Sequence, residues 1–146
     1  MAFTKARVRI AFDLASHTAA VDVMTSSQPA IWKGNDVQFE IAAFYDGVLA
    51  DMSSVTSITL EIKPSPTITD AALFTGTVSG AGATITQENW DNRTAQQFLI
   101  PMTAAQNNID LQGNFNRTCW LVARVTCGTT YFTLGTATIT VIEDGH

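Results

Sequence analysis

Apolar and polar residues alternate along most of this chain. Residues 7–14 set the pattern, with Val8, Ile10, Phe12 and Leu14 on one side and Arg7, Arg9, Ala11 and Asp13 on the other. A period of two puts successive side chains on opposite faces of a pleated backbone, so this segment reads as a half-buried strand. Residues 15–30 are weaker in pattern and rich in Ala, Ser and Thr, and they end at Gln28-Pro29. They read as a linker with one short strand. The alternation returns from Ile31. Asp36 to Tyr45 carries Val37, Phe39, Ile41 and Ala43 inward, Asp46-Gly47 marks a turn, and Val48-Leu49 begins a return segment. Ser57 to Lys63 sets Ile58, Leu60 and Ile62 against Thr59, Glu61 and Lys63, and Pro64-Ser65-Pro66 stops it.

Leu73–Val78 and Ala83–Gln87 flank Gly80-Ala81-Gly82 and read as a hairpin. A polar loop follows at 89–94, then a strand over Gln97–Ile100 that Pro101 ends. Thr103-Ala104-Ala105-Gln106 has the form of a capping box, a Thr whose hydroxyl and a Gln whose amide satisfy each other's backbone donors. It predicts one short helix, closed by Asn107-Asn108 and Gly113. Thr118–Thr126 places Trp120 and Val122 on one face and Cys119, Leu121, Ala123 and Val125 on the other, with Trp120 read as core packing. Thr130–Ile142 is apolar at Ile139 and Val141 but also at Phe132, Leu134 and Ile142. A strand with two apolar faces belongs between layers or against a partner. Seven to nine short strands at this spacing make an all-β sandwich or barrel.

Composition narrows the class. Charged residues make up 14% of the 146, well under the ~25% of ordinary soluble domains. Glu and Lys are too scarce for a helical bundle, and no apolar run reaches the ~18 residues of a membrane span. The formal net charge is −5, and three of the eight cations, Lys5, Arg7 and Arg9, fall in the first ten residues. The rest of the chain holds 5 cations against 13 anions. Nucleic acid is therefore not an expected partner, because its phosphates need cations that the body of the chain lacks. Charges at Arg7, Arg9 and Asp13 interrupt the first apolar stretch, so the chain is expected to be made in the cytoplasm without a signal peptide. Cys119 and Cys127 are eight residues apart. On one strand they lie roughly 26 Å apart, too far for a disulfide, and free thiols are expected.

Candidate chemistry is sparse. The two histidines, His17 and His146, have no nucleophile motif beside them, and no Cys/His cluster has zinc spacing. No cofactor, metal site or catalytic residue is expected. Asp36 and Glu40 share a strand face and read as a solvated pair. Asn89, Asp91 and Asn92 make an oxygen-rich loop that lacks the acidic density of a calcium site. The sequons at Asn92 and Asn116 have meaning only in a secreted eukaryotic protein. Exposed aromatics are the other prospect. Trp90 in its polar loop, Trp32 and Tyr131 are candidate contacts for a sugar ring or a partner. The strand carrying Arg7, Val8, Arg9, Ile10 and Phe12 is a candidate assembly strand, since an extended segment can add to a neighbour's sheet edge.

The run IWKGNDVQFEIAAFYDGVLADMSSVTSITLEIKPS and the close FNRTCWLVARVTCGTTYFTLGTATITVIEDG resemble the immunoglobulin-like domain at the front of phage baseplate upper proteins and related tail-fibre proteins. The likeness covers about residues 31–143 and is one of layout and turn chemistry; residues 64–116 depart more. It implies an immunoglobulin-like antiparallel β-sandwich over 31–146; the residue pattern adds one short helix and, outside the likeness, an N-terminal strand and linker over 1–30 as a possible assembly arm. It also implies a virion structural protein that works with copies of itself and with other virion proteins, and no enzyme. The alternative is a carbohydrate-binding or adhesion module on host surface glycans.

Overall fold

A computed structural model describes residues 6–14, 18–20, 30–45, 48–50, 52–65, 71–80, 83–87 and 93–143. Over these residues the chain is all-β, with strands β1 (Ala6–Asp13), β2 (Thr18–Ala20), β3 (Ala30–Trp32), β4 (Val37–Tyr45), β5 (Val48–Leu49), β6 (Ser57–Lys63), β7 (Phe74–Ser79), β8 (Ala83–Gln87), β9 (Arg93–Met102), β10 (Asn116–Cys127) and β11 (Thr130–Ile142). Hydrogen bonds connect them in the order β7-β6-β10-β11-β2-β1-β4-β9-β8, with β3 added to β11 and β5 to β4. The path turns back on itself. Phe39 of β4 meets Phe74 of β7 with ring centroids 6.4 Å apart. A Cβ placed on Gly76 of β7 would stand 2.7 Å from Cγ2 of Ile100 on β9, so only glycine admits this approach of the two layers. The result is sandwich-like. Ile58, Leu60, Ile62, Leu121, Val125 and Ile139 of one layer pack on Ile10, Phe12, Phe39, Ile41, Phe98 and Ile100 of the other.

The periodicity located most strands, and four differences are informative. First, β1 is part of the domain's own sheet. It pairs in parallel with β4 from Ala6 opposite Val37 to Asp13 opposite Phe44. Val8, Ile10 and Phe12 are 6%, 1% and 0% exposed. Parallel pairs also join β11 to β2 and to β3, so the sandwich is mixed rather than purely antiparallel.

Second, the two apolar faces of β11 come from a register shift. Ala123 lies opposite Gly135 while Arg124 lies opposite Thr133, which leaves Leu134 as the extra residue of a bulge. Inward positions are even before the bulge and odd after it, so Leu134, Ile139 and Val141 all reach the same core, each 0% exposed. No partner is needed to explain the pattern.

Third, β7 and β8 are not a hairpin. β7 pairs with β6, and β8 pairs with β9 at the far end of the path. Glycines at a connection permit a sharp reversal but do not choose the partner strand. Burial chooses it: Phe74 and Val78 of β7 stand opposite Ile62 and Ile58. Pro101, expected to end its strand, instead lies within β9 opposite Gln38. β8 pairs only as far as Gln97, so beyond it β9 has a side without a ladder where a proline is tolerated.

Fourth, the predicted short helix is absent; the described residues contain none. The capping box itself forms. The Thr103 amide donates to Oε1 of Gln106 (2.9 Å), and the Gln106 amide to Oγ1 of Thr103 (3.2 Å). One helical bond follows, Asn107 N to Thr103 O at 2.9 Å, and the turn stops there. Asn107 is 0% exposed and its side chain is used elsewhere.

Candidate interaction surface

Residues Arg7, Arg9 and Glu40 meet where β1 lies on β4. The register sets Arg9 opposite Glu40, with Arg7 two positions earlier on the same face. Their Nε atoms stand 3.5 Å (Arg9) and 3.7 Å (Arg7) from Oε1 of Glu40. The carboxylate is 1% exposed, whereas the guanidinium side chains are 26% (Arg9) and 55% (Arg7) exposed. The expectation of a solvated Asp36/Glu40 pair is therefore corrected. β4 is covered on both faces, with Glu40, Ala42 and Phe44 buried opposite the core side. Glu40 Oε1 and Arg9 Nε have no hydrogen-bond partner, so the contact is electrostatic rather than a bidentate fork. It clamps β1 in register. Asp36 serves elsewhere, where its Oδ1 accepts the Ala104 amide at 2.7 Å.

At the end of the sandwich where β4 begins and β11 ends, Asn107 ties three segments together. Its Nδ2 donates to the carbonyls of Trp32 (2.8 Å) and Asn35 (2.9 Å), and its backbone carbonyl accepts the Gly34 amide (2.8 Å). Sequence reasoning treated Asn107 only as a helix breaker. A buried asparagine bridging loops leaves no periodic trace.

The structure separates the aromatic candidates. Trp32 ends β3 opposite Ile142 and is 46% exposed, and Tyr131 is the second residue of β11 and is 80% exposed. Eleven residue steps of β11 separate these two levels, roughly 36 Å at ~3.3 Å per residue, so they cannot share one ligand. Trp90, with Asn89, Asp91 and Asn92, lies outside the described residues. Trp120, read as core, is half-buried on the face opposite Cys119 and Leu121, level with Lys63 and Thr138. Phe115 was missed. It is 65% exposed just before β10, in a segment whose polar neighbours Asn114 and Asn116 give no strand pattern. Its carbonyl accepts the Glu143 amide at 2.9 Å, which places it at the same end as Trp32.

Both thiols are free. Burial pushes the Cys119 thiol above its ordinary 9.0, an effect that the nearby Arg117 charge partly offsets. A raised folded-state value means that its contribution to stability is fully present below about pH 9 and is lost as pH rises beyond that. In urea unfolding, stability should fall between pH 8 and pH 10 more steeply for the native chain than for Cys119→Ala. With a disulfide-exchange reagent at neutral pH, the folded chain should expose only the half-buried Cys127, and the unfolded chain both thiols.

Among the described residues no three His, Cys, Asp or Glu side chains gather as a metal site would require, and no helix is long and apolar enough to cross a membrane. No protein-family model matches the chain, and no curated protein matches it. Among solved structures it is similar to the N-terminal domain of phage TP901-1 ORF48, at 8% identity and a TM-score of 0.44, over 94% of this chain and 98% of that one.

Proposed function

We propose that the chain is a non-enzymatic structural part of a phage particle. In this reading it is an immunoglobulin-like sandwich of the tail, baseplate or fibre region that joins virion proteins or carries a receptor-binding part, working as several copies. One observation carries the proposal. The two stretches on which the sequence resemblance rests fold as β4, β5 and β6 and as β10 and β11, with β10 hydrogen-bonded between β6 and β11. Two of the four buried polar side chains support the same reading. Glu40 holds a strand and Asn107 holds loops, so both are spent on architecture.

A glycan-binding module is the second reading, favoured by the exposure of Trp32 and Tyr131. The experiment is antibody labelling and mass spectrometry of purified particles of the phage that encodes the chain. The chain should be present in stoichiometric amount at the tail, and particles lacking the gene should carry tails that fail to assemble or to adsorb. Intact, infectious particles free of the chain overturn the proposal. Glycan-array binding that Trp32→Ala or Tyr131→Ala abolishes favours the second reading.

A further inference from the structure

We infer that the free edge of β7 is a docking site for one extended segment of a neighbouring virion protein, added to the sheet as a further strand. This deepens the proposed role of joining virion proteins and rests on it. β7 ends the strand path and, among the described residues, pairs with β6 alone. The Gly80 amide donates to the Thr56 carbonyl at 2.7 Å, one step beyond the Ser57–Ser79 pair of the β6–β7 register. Opposed residues of an antiparallel pair exchange backbone bonds at every second position. Phe74, Gly76 and Val78 therefore bond to β6, while Thr75, Thr77 and Ser79 turn their amides and carbonyls away from it. All three of these are exposed. The edge is also firmly seated, because Phe74 packs on Phe39 and Gly76 lies against Ile100. Natural edges are commonly blunted by a lysine, a proline or a bulge. β7 reads FTGTVS, with no charge, no proline and an unbroken register.

Backbone geometry selects the occupant. Outward amides and carbonyls at every second residue match an extended chain, which repeats at the same spacing. Thr75, Thr77 and Ser79 present hydroxyls beside them, and Glu61, the charge opposite Thr75, is already paired with Arg124 at 2.9 Å. The segment therefore needs small polar side chains on that face, not charges. A whole second copy fits less well. Because Gly76 lies against Ile100, the unladdered side of β9 beyond Gln97 opens on the same side of the sandwich as the edge of β7. Two copies meeting edge to edge would bring both of these edges together, and Pro101 blunts the β9 edge. A single strand laid on β7 meets no such obstacle.

Amide exchange of the free full chain, followed by NMR, should show Thr75 and Thr77 exchanging freely while Gly76 and Val78 are protected. Protection of Thr75 and Thr77 means that the edge is already filled and overturns the site. The second measurement is made on phage particles. Thr77→Pro removes an outward amide without breaking a bond to β6, a change that edge strands tolerate, so circular dichroism should report a native fold. Its incorporation into particles should fall by about tenfold. Thr77→Val keeps the amide and loses only the hydroxyl bond with Thr59 (3.0 Å), and it should be incorporated as the native chain is. A photo-cross-linking residue at position 77 should join the chain to a different virion protein, and this result decides the matter if Thr77→Pro does not fold. Normal incorporation of a folded Thr77→Pro overturns the inference, as does a cross-link only within the chain or to a second copy. A chain present on the tail but joined to nothing through position 77 sinks the docking site and leaves the proposed function standing. A chain absent from the particles sinks both.

Discussion

A chain shortened to begin at Ile31 should not fold. The layout of the sequence places the start of a domain there, yet β1 lies within the sheet and contributes Val8, Ile10 and Phe12 to the core. Emptying a buried Ile or Phe site costs about 2–5 kcal/mol, and two such sites with a valine approach about 8 kcal/mol. A domain of this size has only about 5–15 kcal/mol in total. The loss does not end there. The whole edge of β4 that β1 covers becomes unpaired, and the Glu40 carboxylate loses both guanidinium groups. Thermal unfolding followed by circular dichroism should show no cooperative transition for the shortened chain. A sharp transition within a few degrees of the full chain would mean that β1 is accessory. A peptide spanning residues 5–20 should restore the transition if added in excess, because it supplies both missing strands, β1 and β2.

The second large effect is expected at Asn107. Replacing it with alanine removes the two donors to Trp32 and Asn35 and leaves those carbonyls to find other partners. The Trp32 carbonyl keeps the Asn35 amide at 3.2 Å, so only the Asn35 carbonyl loses its donor outright. A group left unsatisfied costs about 1–3 kcal/mol, and Asn107→Ala should lose that much. That corresponds to a fall in Tm of about 2–12 °C for a domain near 150 residues. Asn107→Asp should be worse, because it removes the same donors and adds a charge where exposure is 0%. Ala105→Ser, on an exposed residue of the same turn, is the control and should be neutral. If Asn107→Ala unfolds at the temperature of the native chain, water has taken over both carbonyls and the side chain is no tie.

Much of the strand content was legible because a half-buried strand writes its own period. β6 and β10 each have one row of side chains that must leave water, and that row appears as every second residue. β4 is buried on both faces, and its row of Val37, Phe39, Ile41 and Ala43 stood out only because the polar Gln38 and Glu40 interrupt it. The capping box was legible for the same local reason, since Thr103 and Gln106 satisfy one another within four residues. The helix expected beyond it was not formed, because Asn107 is committed to Trp32 and Asn35, 75 and 72 residues away. Of the candidate contacts, Trp32 and Tyr131 were visible as aromatics, but nothing local distinguishes an exposed ring from a core one. Trp120 was assigned inward and Phe115 was overlooked for that reason.

Sequence alone determined what depends on neighbours in the chain: an all-β class, the position of most strands, free thiols on one long strand and a deficit of cations over the body. Tertiary structure decided what depends on distant residues. It set β1 beside β4, split β7 from β8, shifted β11 by one residue so that two apolar parities serve one core, and drew a carboxylate read as solvated between two arginines. The physical reason is that periodicity reports which side of a strand is buried, while the identity of the burying partner is settled only by packing and register across the sheet.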